Sequence, residues 1–224
     1  MNCISCECKS SLFLLLSDAE LELVEQNRVN VVFKPGETIR KQGTAMTHVI
    51  SVNRGLAKLY LEGVEHRNAI LRFVKPTNFI GGPGIYLDLM HHYTVTALME
   101  SSVCFIEIQV FKKIIRQNSL FAEEFMKDFS RNTLSVYNRL IYLTQKQMPG
   151  RMSDTLLYLF DDIFQSSRFP MVISKQDLAD LSAMSKDSAG KVLREFQNEE
   201  IIRITDHEMV LLDAEALKRI SRTG

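Results

Sequence analysis

Cysteine is the residue type whose spacing first suggests chemistry in this sequence. Cys3, Cys6 and Cys8 lie together near the start, and Cys104 follows about a hundred residues later. Clustered cysteines in a chain without an export signal favour metal binding or redox chemistry over a disulfide framework. The sequence therefore predicts a metal or redox role for these four thiols.

Polar side chains after Ile173 indicate a second chemistry, the recognition of DNA. Ser174 with Asp177 is a capping-box pattern that starts one short helix, and Ser185 starts another after a short turn. Two helices joined in this way are typical of the helix-turn-helix, whose second helix enters the major groove. An ordinary helical hairpin with solvated charges is the alternative. If it is a helix-turn-helix, the DNA-contacting residues are Lys175, Ser185, Lys186, Asp187, Ser188, Lys191 and Arg194.

The elements that must position these residues change character along the chain. Between residues 29 and 108, short β-rich runs separated by glycine turns predict a β-sandwich or barrel-like roll. Residues 119–147 contain no glycine or proline and predict one long helix. A heptad pattern along this helix favours dimerisation, the alternative being a helix packed on its own domain. The residues of the pattern are Met126, Phe129, Thr133, Val136, Leu140 and Leu143.

A break in the long helix suggests how the chain divides. Met148-Pro149-Gly150 is expected to end the helix and to mark a domain boundary. We predict a cysteine segment and β-roll at 1–118, a dimerisation helix at 119–147 and a DNA-binding domain at 148–224.

The C-terminal part carries further structural expectations. Residues 152–164 predict a helix, and residues 166–170 predict a loop. Ile201–Ile204 and Met209–Leu212 are separated by polar residues and predict a two-stranded wing beside the helix-turn-helix.

Composition limits the class of protein. The 224 residues include 27 basic and 27 acidic side chains, and 46% are hydrophobic, which excludes a disordered chain. Residues 150–224 hold 10 basic and 13 acidic side chains, so DNA binding there would need a few placed residues rather than a general positive field. No apolar run is long enough to span a membrane and no signal peptide is evident, so we expect a cytoplasmic protein with no membrane partner.

Several motifs together resemble the CRP/FNR family of bacterial transcription regulators along nearly the whole chain. The motifs are Pro35–Ile39, Gln42-Gly43, Val52–Lys58, Gln176–Ala179 and Met184–Lys191. The resemblance implies an α+β chain with an N-terminal β-roll sensor of the jelly-roll, cyclic-nucleotide-binding-like type, a long dimerisation helix and a C-terminal winged helix-turn-helix. It also implies a homodimer that binds double-stranded DNA and acts with RNA polymerase.

The effector that the family resemblance implies is open. The cyclic-nucleotide members use a Gly-Glu loop and then an Arg-Ser pair, but here the corresponding stretches are Phe79–Gly84 and Met90–Tyr93. Because the arginine that would pair with the phosphate is missing, we expect that cyclic AMP does not bind. The residues expected to line an effector pocket are Gly81, Gly82, Gly84, His91, His92 and Tyr93.

The oxygen-sensing members of the family bind a [4Fe–4S] cluster through several N-terminal cysteines and one central cysteine. Cys3, Cys6, Cys8 and Cys104 resemble that layout, although the third N-terminal cysteine of the family usually lies further along the chain. The alternatives are a zinc site on the same thiols, haem ligated by Met90 or the His91-His92 pair, and no metal with another ligand.

Three functional interpretations compete. The first is an effector- or redox-controlled, sequence-specific DNA-binding regulator. The second is a metal or small-molecule sensor that acts through protein partners and carries a vestigial helix-turn-helix. The third is an enzyme, and no nucleophile, phosphate-loop or zinc-protease motif supports it.

Overall fold

The structure is a computed structural model that describes residues 3–64 and 68–224. Two compact units are present, and the boundary between them falls inside the long helix, after Ser135. The first contains the described residues up to Glu62 together with Arg72–Ser135, and the second contains the rest.

The first unit opens with a short helix and then becomes a β-roll. Helix α1 (Asp18–Gln26) starts with a complete capping box, in which Ser17 and Glu20 exchange side-chain and backbone hydrogen bonds. The strands that follow are β1 (Arg28–Phe33), β2 (Thr38–Arg40), β3 (His48–Arg54), β4 (Ala57–Leu61), β5 (Ala69–Val74), β6 (Phe79–Ile80), β7 (Thr94–Ala97) and β8 (Ser101–Glu107).

Two antiparallel sheets make up the roll, with strand orders β1-β8-β3-β6 and β2-β7-β4-β5. Strand β8 is central in the first sheet, where it pairs with β1 and β3 over most of its length. This arrangement places Cys104 opposite Asn30 on one side and Ser51 on the other. The predicted β-roll is confirmed.

An aromatic cluster joins the roll to the helices that follow it, α2 (Ile108–Gln117) and α3 (Ser119–Gln145). The Phe79 ring stacks on Phe111 with 5.0 Å between centroids, and Phe121 and Phe125 meet Phe111 edge-on. Burial of such rings supplies both apolar area and specific geometry. The start of α3 is therefore anchored on the β-roll.

Most of the heptad residues of α3 are exposed along the single chain. Met126, Phe129, Val136 and Leu140 are exposed, whereas Thr133 and Leu143 are half-buried. Among the described residues, nothing covers the exposed members of this apolar stripe, so they are available for a helix-to-helix contact.

The second unit is a winged helix-turn-helix, confirming the fold class. Its elements are α4 (Met148–Leu157), a π-helical turn (Tyr158–Ile163), β9 (Arg168–Pro170), α5 (Lys175–Ser182), α6 (Lys186–Asn198), β10 (Ile202–Ile204), β11 (Glu208–Leu211) and α7 (Ala214–Thr223). In the described part of the chain, no helix is both long and apolar enough to cross a membrane.

Two local expectations were wrong. The segment 166–170 is not wholly loop, because β9 pairs with β11 and makes the wing a three-stranded sheet of order β10-β11-β9. Met148-Pro149-Gly150 does not only end α3, since these residues form the first turn of α4. Proline suits that position because the first helical N–H groups need no partner within the helix.

Candidate functional site

The first helix of the DNA-binding motif, α5, is fixed by its N-terminal cap. Ser174 accepts a hydrogen bond from the backbone N–H of Asp177 at 3.1 Å, and the Ser174 N–H donates to the Asp177 carboxylate at 3.0 Å. At the other end, Ala183 closes the helix in the left-handed conformation with φ 49°. The predicted capping box is present, and the sharp turn after it sets the direction of the next helix.

The second helix, α6, begins at the predicted cap residue. Ser185 accepts a hydrogen bond from the Ser188 N–H at 3.1 Å, and its hydroxyl donates to the Ser188 hydroxyl at 2.9 Å. Val192, Leu193 and Phe196 are buried and form the inner face of the helix. The opposite face is therefore turned outward.

This outer face carries most of the predicted DNA-contacting residues. Lys186, Asp187, Lys191 and Arg194 are exposed on α6, Lys175 is exposed at the start of α5, and Ser188 is half-buried. Gly190 lies on the same face, and a Cβ there would lie 3.7 Å from the Arg194 guanidinium. The small residue leaves the middle of the face flat, so Lys and Arg side chains can reach base edges and phosphates on either side of it.

The wing adds basic residues that the sequence reading missed. Arg168 on β9 and Arg203 on β10 are both exposed. Arg168 could not be assigned from the sequence because β9 has only three residues and depends on pairing with β11. At the wing tip, the Thr205 hydroxyl accepts from the backbone N–H groups of His207 and Glu208, which fixes the turn.

Three polar side chains of α3 tie its C-terminal half to the helix-turn-helix unit. The Arg139 guanidinium donates to the carbonyl of Leu181 at 2.6 Å, and the Tyr142 hydroxyl donates to the carbonyl of Arg151 at 2.5 Å. Lys146 donates to the Asp154 carboxylate at 2.6 Å and to the carbonyl of Ser221 at 2.6 Å. Arg139, Tyr142 and Lys146 follow a three-then-four spacing, so they share one face of α3.

All four cysteines line one cavity of the β-roll unit. Cys3, Cys6 and Cys8 come from the N-terminal segment, and Cys104 comes from β8. Apolar residues of α1 and the basic residues Lys9 and Arg28 complete the walls. All four thiols are free, with Cys104 buried and the others half-buried. The structure brings together the residues that the sequence placed about a hundred positions apart.

An arginine that the sequence reading missed lies among these thiols. Arg28 Nε is 3.1 Å from the Cys3 sulfur, and Arg28 Nη1 is 3.7 Å from the Cys104 sulfur. The Glu25 carboxylate pairs with Arg28 at 2.8 Å and accepts the backbone N–H of Cys3 at 2.7 Å. The only local signal was an acidic and a basic residue three positions apart at the end of a helix, which is common on protein surfaces.

Burial dominates the protonation of two of the thiols. Burial, together with a hydrogen bond to Glu25, raises the pKa of Cys3 to about 12. Burial also raises the pKa of Cys104, and in both cases the positive charge of Arg28 opposes the change. Burial raises the pKa of the Glu25 carboxyl as well, but hydrogen bonds from Arg28 and Cys3 outweigh burial and lower that pKa. Cys3 and Cys104 are therefore neutral thiols beside a charged Arg28–Glu25 pair.

The four thiols fit an iron–sulfur cluster in donor type and number, because such clusters are held by four cysteine thiolates. They also fit a tetrahedral zinc site. Among positions 3–64 and 68–224, no group of three or more His, Cys, Asp or Glu residues is placed to hold a single metal ion.

The glycines expected in the effector pocket are packed tightly. Gly82 has φ 71°, and a Cβ on it would lie 2.5 Å from the Tyr93 hydroxyl, so Gly82 and Tyr93 are brought together. Gly81 lies against Phe79 and Ile85, and Gly84 lies against the backbone of Met90. Only glycine fits where a positive φ and a close contact coincide.

The two adjacent histidines have different surroundings. His91 is buried, and neither of its ring nitrogens has a hydrogen-bond partner among the described residues. His92 is exposed, and its Nε2 lies 3.1 Å from the Asp88 carboxylate. Burial, with smaller effects from Arg40 and His92, lowers the pKa of His91 to about 4, so this ring is neutral at pH 7.

Comparison with known proteins identifies the two units. The family model described as "Cyclic nucleotide-binding domain" matches residues 30–118, and the one described as "Crp-like helix-turn-helix domain" matches residues 150–220. A β-roll of the first kind followed by a motif of the second defines the class as a transcription regulator rather than an enzyme.

Similar proteins narrow the class to a family. The chain is 24% identical over 207 residues to the transcriptional activator Anr of Pseudomonas protegens, covering 91% of this chain and 83% of that protein. It is 22% identical to the nitrogen fixation regulation protein FixK of Bradyrhizobium diazoefficiens, covering 94% of this chain and 90% of FixK. The chain belongs to the CRP/FNR family of DNA-binding transcription regulators.

Solved structures share the fold at low sequence identity. FixK2 from Bradyrhizobium japonicum superposes with a TM-score of 0.78 at 15% identity, covering 86% of this chain and 96% of FixK2. A CRP-family regulator from Thermus thermophilus superposes with a TM-score of 0.72 at 23% identity, covering 86% of this chain and 96% of that one. At these identities the likeness concerns the fold alone.

Proposed function

We propose that this regulator binds a specific DNA sequence as a homodimer and that the four-cysteine cavity controls its DNA binding. The observation that carries the control is the convergence of Cys3, Cys6, Cys8 and Cys104 on one cavity. The proposal includes a sensor at 1–118, a dimerisation helix at 119–147 and a DNA-binding domain at 148–224.

DNA reading is assigned to the outer face of α6. Lys186, Asp187 and Lys191 would contact base edges, and Ser185, Ser188, Arg194 and Lys175 would contact bases or phosphates beside them. Lysine lacks the planar fork of arginine, so each lysine would define its base less strictly than an arginine at that place. Two α6 helices related by a dimer axis would read half-sites about one helical turn apart.

Control would pass along α3. The exposed apolar stripe of α3 would form the dimer contact, and the face bearing Arg139, Tyr142 and Lys146 would carry any movement to the helix-turn-helix unit. A change at the cysteine cavity would then shift the population of DNA-binding dimers. RNA polymerase would be the downstream partner of the bound dimer.

The occupant proposed for the cavity is a [4Fe–4S] cluster held by Cys3, Cys6, Cys8 and Cys104. Such a cluster supplies oxygen- and redox-sensitive chemistry when it is bound. The residues of this chain would exclude water through the apolar walls from α1 and β8, and Arg28 would donate hydrogen bonds to two of the sulfurs. Zinc on the same thiols is the alternative occupant, to be distinguished by iron and sulfide analysis.

The experiment that tests DNA reading is selection of duplexes from a random pool, followed by affinity measurement on the selected sequence. We expect Lys186→Ala plus Lys191→Ala to weaken that affinity at least about 30-fold, since each specific contact contributes about 1–3 kcal/mol. Lys34→Ala is the matched control, because Lys34 is an exposed lysine of the β-roll unit.

The outcome also separates the competing interpretation. If the double variant loses neither DNA affinity nor regulation, the helix-turn-helix is vestigial and the protein acts through protein partners. If no duplex is enriched from the pool by protein prepared with or without anaerobic iron and sulfide, sequence-specific binding is excluded.

A further inference from the structure

Arg28 is one of the two basic residues that line the cysteine cavity. Its side chain is 11% exposed, and it donates toward the sulfurs of Cys3 and Cys104, one from the N-terminal segment and one from β8. A guanidinium has several donors in one plane, so it can serve two sulfurs and a carboxylate at once. The Glu25 carboxylate accepts from Nη2 of Arg28 at 2.8 Å and shares the Nε–H with the Cys3 sulfur.

Glu25 holds both Arg28 and the cysteine segment in place. Its carboxylate accepts from Nε and Nη2 of Arg28 at 3.0 and 2.8 Å and from the Cys3 backbone N–H at 2.7 Å. Position 25 lies in the last turn of α1, so the carboxylate is attached to a regular element rather than a loop. Glu25 therefore orients Arg28, but its negative charge also offsets the positive charge of Arg28.

Ligand binding by the four thiols would change the charge of this cavity. Four thiolates around one divalent cation, or around a cluster core of charge 2+, leave a net charge of about −2 in a partly buried place. The positive side chains lining the cavity are Lys9 and Arg28, and Lys9 donates to the carbonyl of Ile4 at 2.7 Å. A buried negative charge is stabilised by hydrogen bonds and by a nearby cation.

Hydrogen bonds to ligating sulfurs are also a recognised means of stabilising a metal site. Groups that contact the ligands rather than the metal commonly change metal affinity by about 10–100-fold when removed. Arg28 has this position with respect to the sulfurs of Cys3 and Cys104.

We propose that Arg28 is a positioning residue that stabilises the ligand-bound, thiolate form of the four-cysteine site, and that Glu25 orients Arg28 while weakening that effect. The inference rests on the proposed function of the cavity as a thiolate site. It predicts that replacing Arg28 weakens ligand binding and that replacing Glu25 does not, whereas a merely structural pair would show the same loss for both.

The test uses reduced, full-length protein without oxygen and Cd²⁺ alone as the probe. Cadmium–thiolate absorption in the ultraviolet reports the number of sulfur ligands, and competition with a chelator gives the affinity. We expect Arg28→Met to weaken binding about 10–100-fold and Glu25→Gln to leave it unchanged or tighten it. Arg54→Met is the matched control, because Arg54 pairs with Glu100 on the surface and does not line the cavity.

Three results would overturn the inference. If Arg28→Met binds cadmium with an affinity within about twofold of the wild type, Arg28 has no role at the site, while the proposed thiolate site itself stands. If Glu25→Gln weakens cadmium binding as much as Arg28→Met does, the Arg28–Glu25 pair is only a structural contact. Wild-type protein that binds no cadmium through its thiols would overturn the thiolate site itself. Should Arg28→Met fail to fold, Arg28→Lys and Glu25→Gln carry the comparison, with Arg28→Lys expected to lie between wild type and loss.

Discussion

His91 lies inside the β-roll at 2% exposure, and burial lowers the pKa of its imidazole to about 4. An unfolded histidine has a pKa of about 6.5, so between these values the unfolded chain takes up a proton that the folded chain does not. Stability therefore rises with pH through this interval and is lost as the pH falls from about 6.5 toward 4.

Replacement of His91 should remove this pH dependence. We expect wild-type protein to lose about 1–2 kcal/mol of unfolding free energy between pH 7 and pH 5 through His91, and His91→Leu to lose correspondingly less. Urea unfolding at both pH values measures the difference. His207→Gln, at the exposed wing tip, is the control and should keep the wild-type dependence. Parallel curves for wild type and His91→Leu would show that the imidazole does not titrate in this interval.

The residues of the cysteine cavity differ in how far the sequence could predict them. The four cysteines could be grouped from their type and spacing, because clustered thiols in a chain of this composition favour metal binding or redox chemistry. Arg28 could not, since its importance depends on Cys104 of β8 and Cys3 meeting at one point in space. Likewise, the sequence predicts Gly82 in an effector pocket. In the structure, glycine is required at this position because of its positive φ and its close contact with Tyr93.

At the scale of elements, helix α3 has two faces with different contacts. The face with Arg139, Tyr142 and Lys146 is bonded to the helix-turn-helix unit, while the heptad residues include exposed Val136 and Leu140. Burial raises the pKa of Tyr142 to about 12, so its hydroxyl remains a donor at any working pH. One helix thus carries two separable interactions.

The bonded face should stabilise the helix-turn-helix unit. Lys146 meets the Asp154 carboxylate and the Ser221 carbonyl, and Asp154 also accepts the Ser221 hydroxyl. Lys146→Met leaves these half-buried acceptors without their cation, so we expect a loss of about 1–3 kcal/mol in unfolding free energy. Hydrogen exchange should then rise in α4 and α7. Lys127→Met removes an exposed pair with Glu123 and should leave the unfolding free energy nearly unchanged. Equal losses for the two variants would contradict a specific role for Lys146.

The heptad face should determine the oligomeric state. Leu140 is 57% exposed in the single chain, so Leu140→Glu should fold normally but place charges at the proposed dimer contact. We expect it to sediment as a monomer at micromolar concentration and to bind the selected duplex at least about tenfold more weakly. Leu87→Glu, at a site 78% exposed in the β-roll unit, is the control and should stay dimeric. If the wild type is a monomer, or if Leu140→Glu is still a dimer, α3 does not form the dimer contact.

Elements with strong local signals could be predicted, and elements held by distant contacts could not. The caps at Ser174 and Ser185 are local hydrogen-bond patterns and occur as expected. Strand β9 exists because β11 offers it an edge, and three residues carry too little pattern to reveal that. Pro149 predicts the end of the long helix because proline interrupts helices, yet proline also fits the first turn of the next helix, α4.

At the scale of the whole molecule, the balanced charge limits how the protein holds DNA. Basic and acidic residues number 27 each, and residues 150–224 are net acidic. The structure places Lys186, Lys191 and Arg194 on the outer face of α6 and adds Arg168 and Arg203 on the wing. In the proposed dimer, DNA affinity would depend on these few placed cations doubled by symmetry, and we expect the small number of phosphate contacts to give a shallow dependence on salt.

In the proposed function, the four-cysteine cavity in one unit controls the DNA affinity of α6 in the other. Fluorescence anisotropy on the selected duplex tests this directly, with protein reconstituted anaerobically with iron and sulfide compared with metal-free protein. We predict that the DNA affinities of the two wild-type preparations differ at least about tenfold. For Cys104→Ser treated identically, the two preparations should differ by no more than the experimental background. Equal affinities of the two wild-type preparations, with iron bound in one of them, would contradict the account.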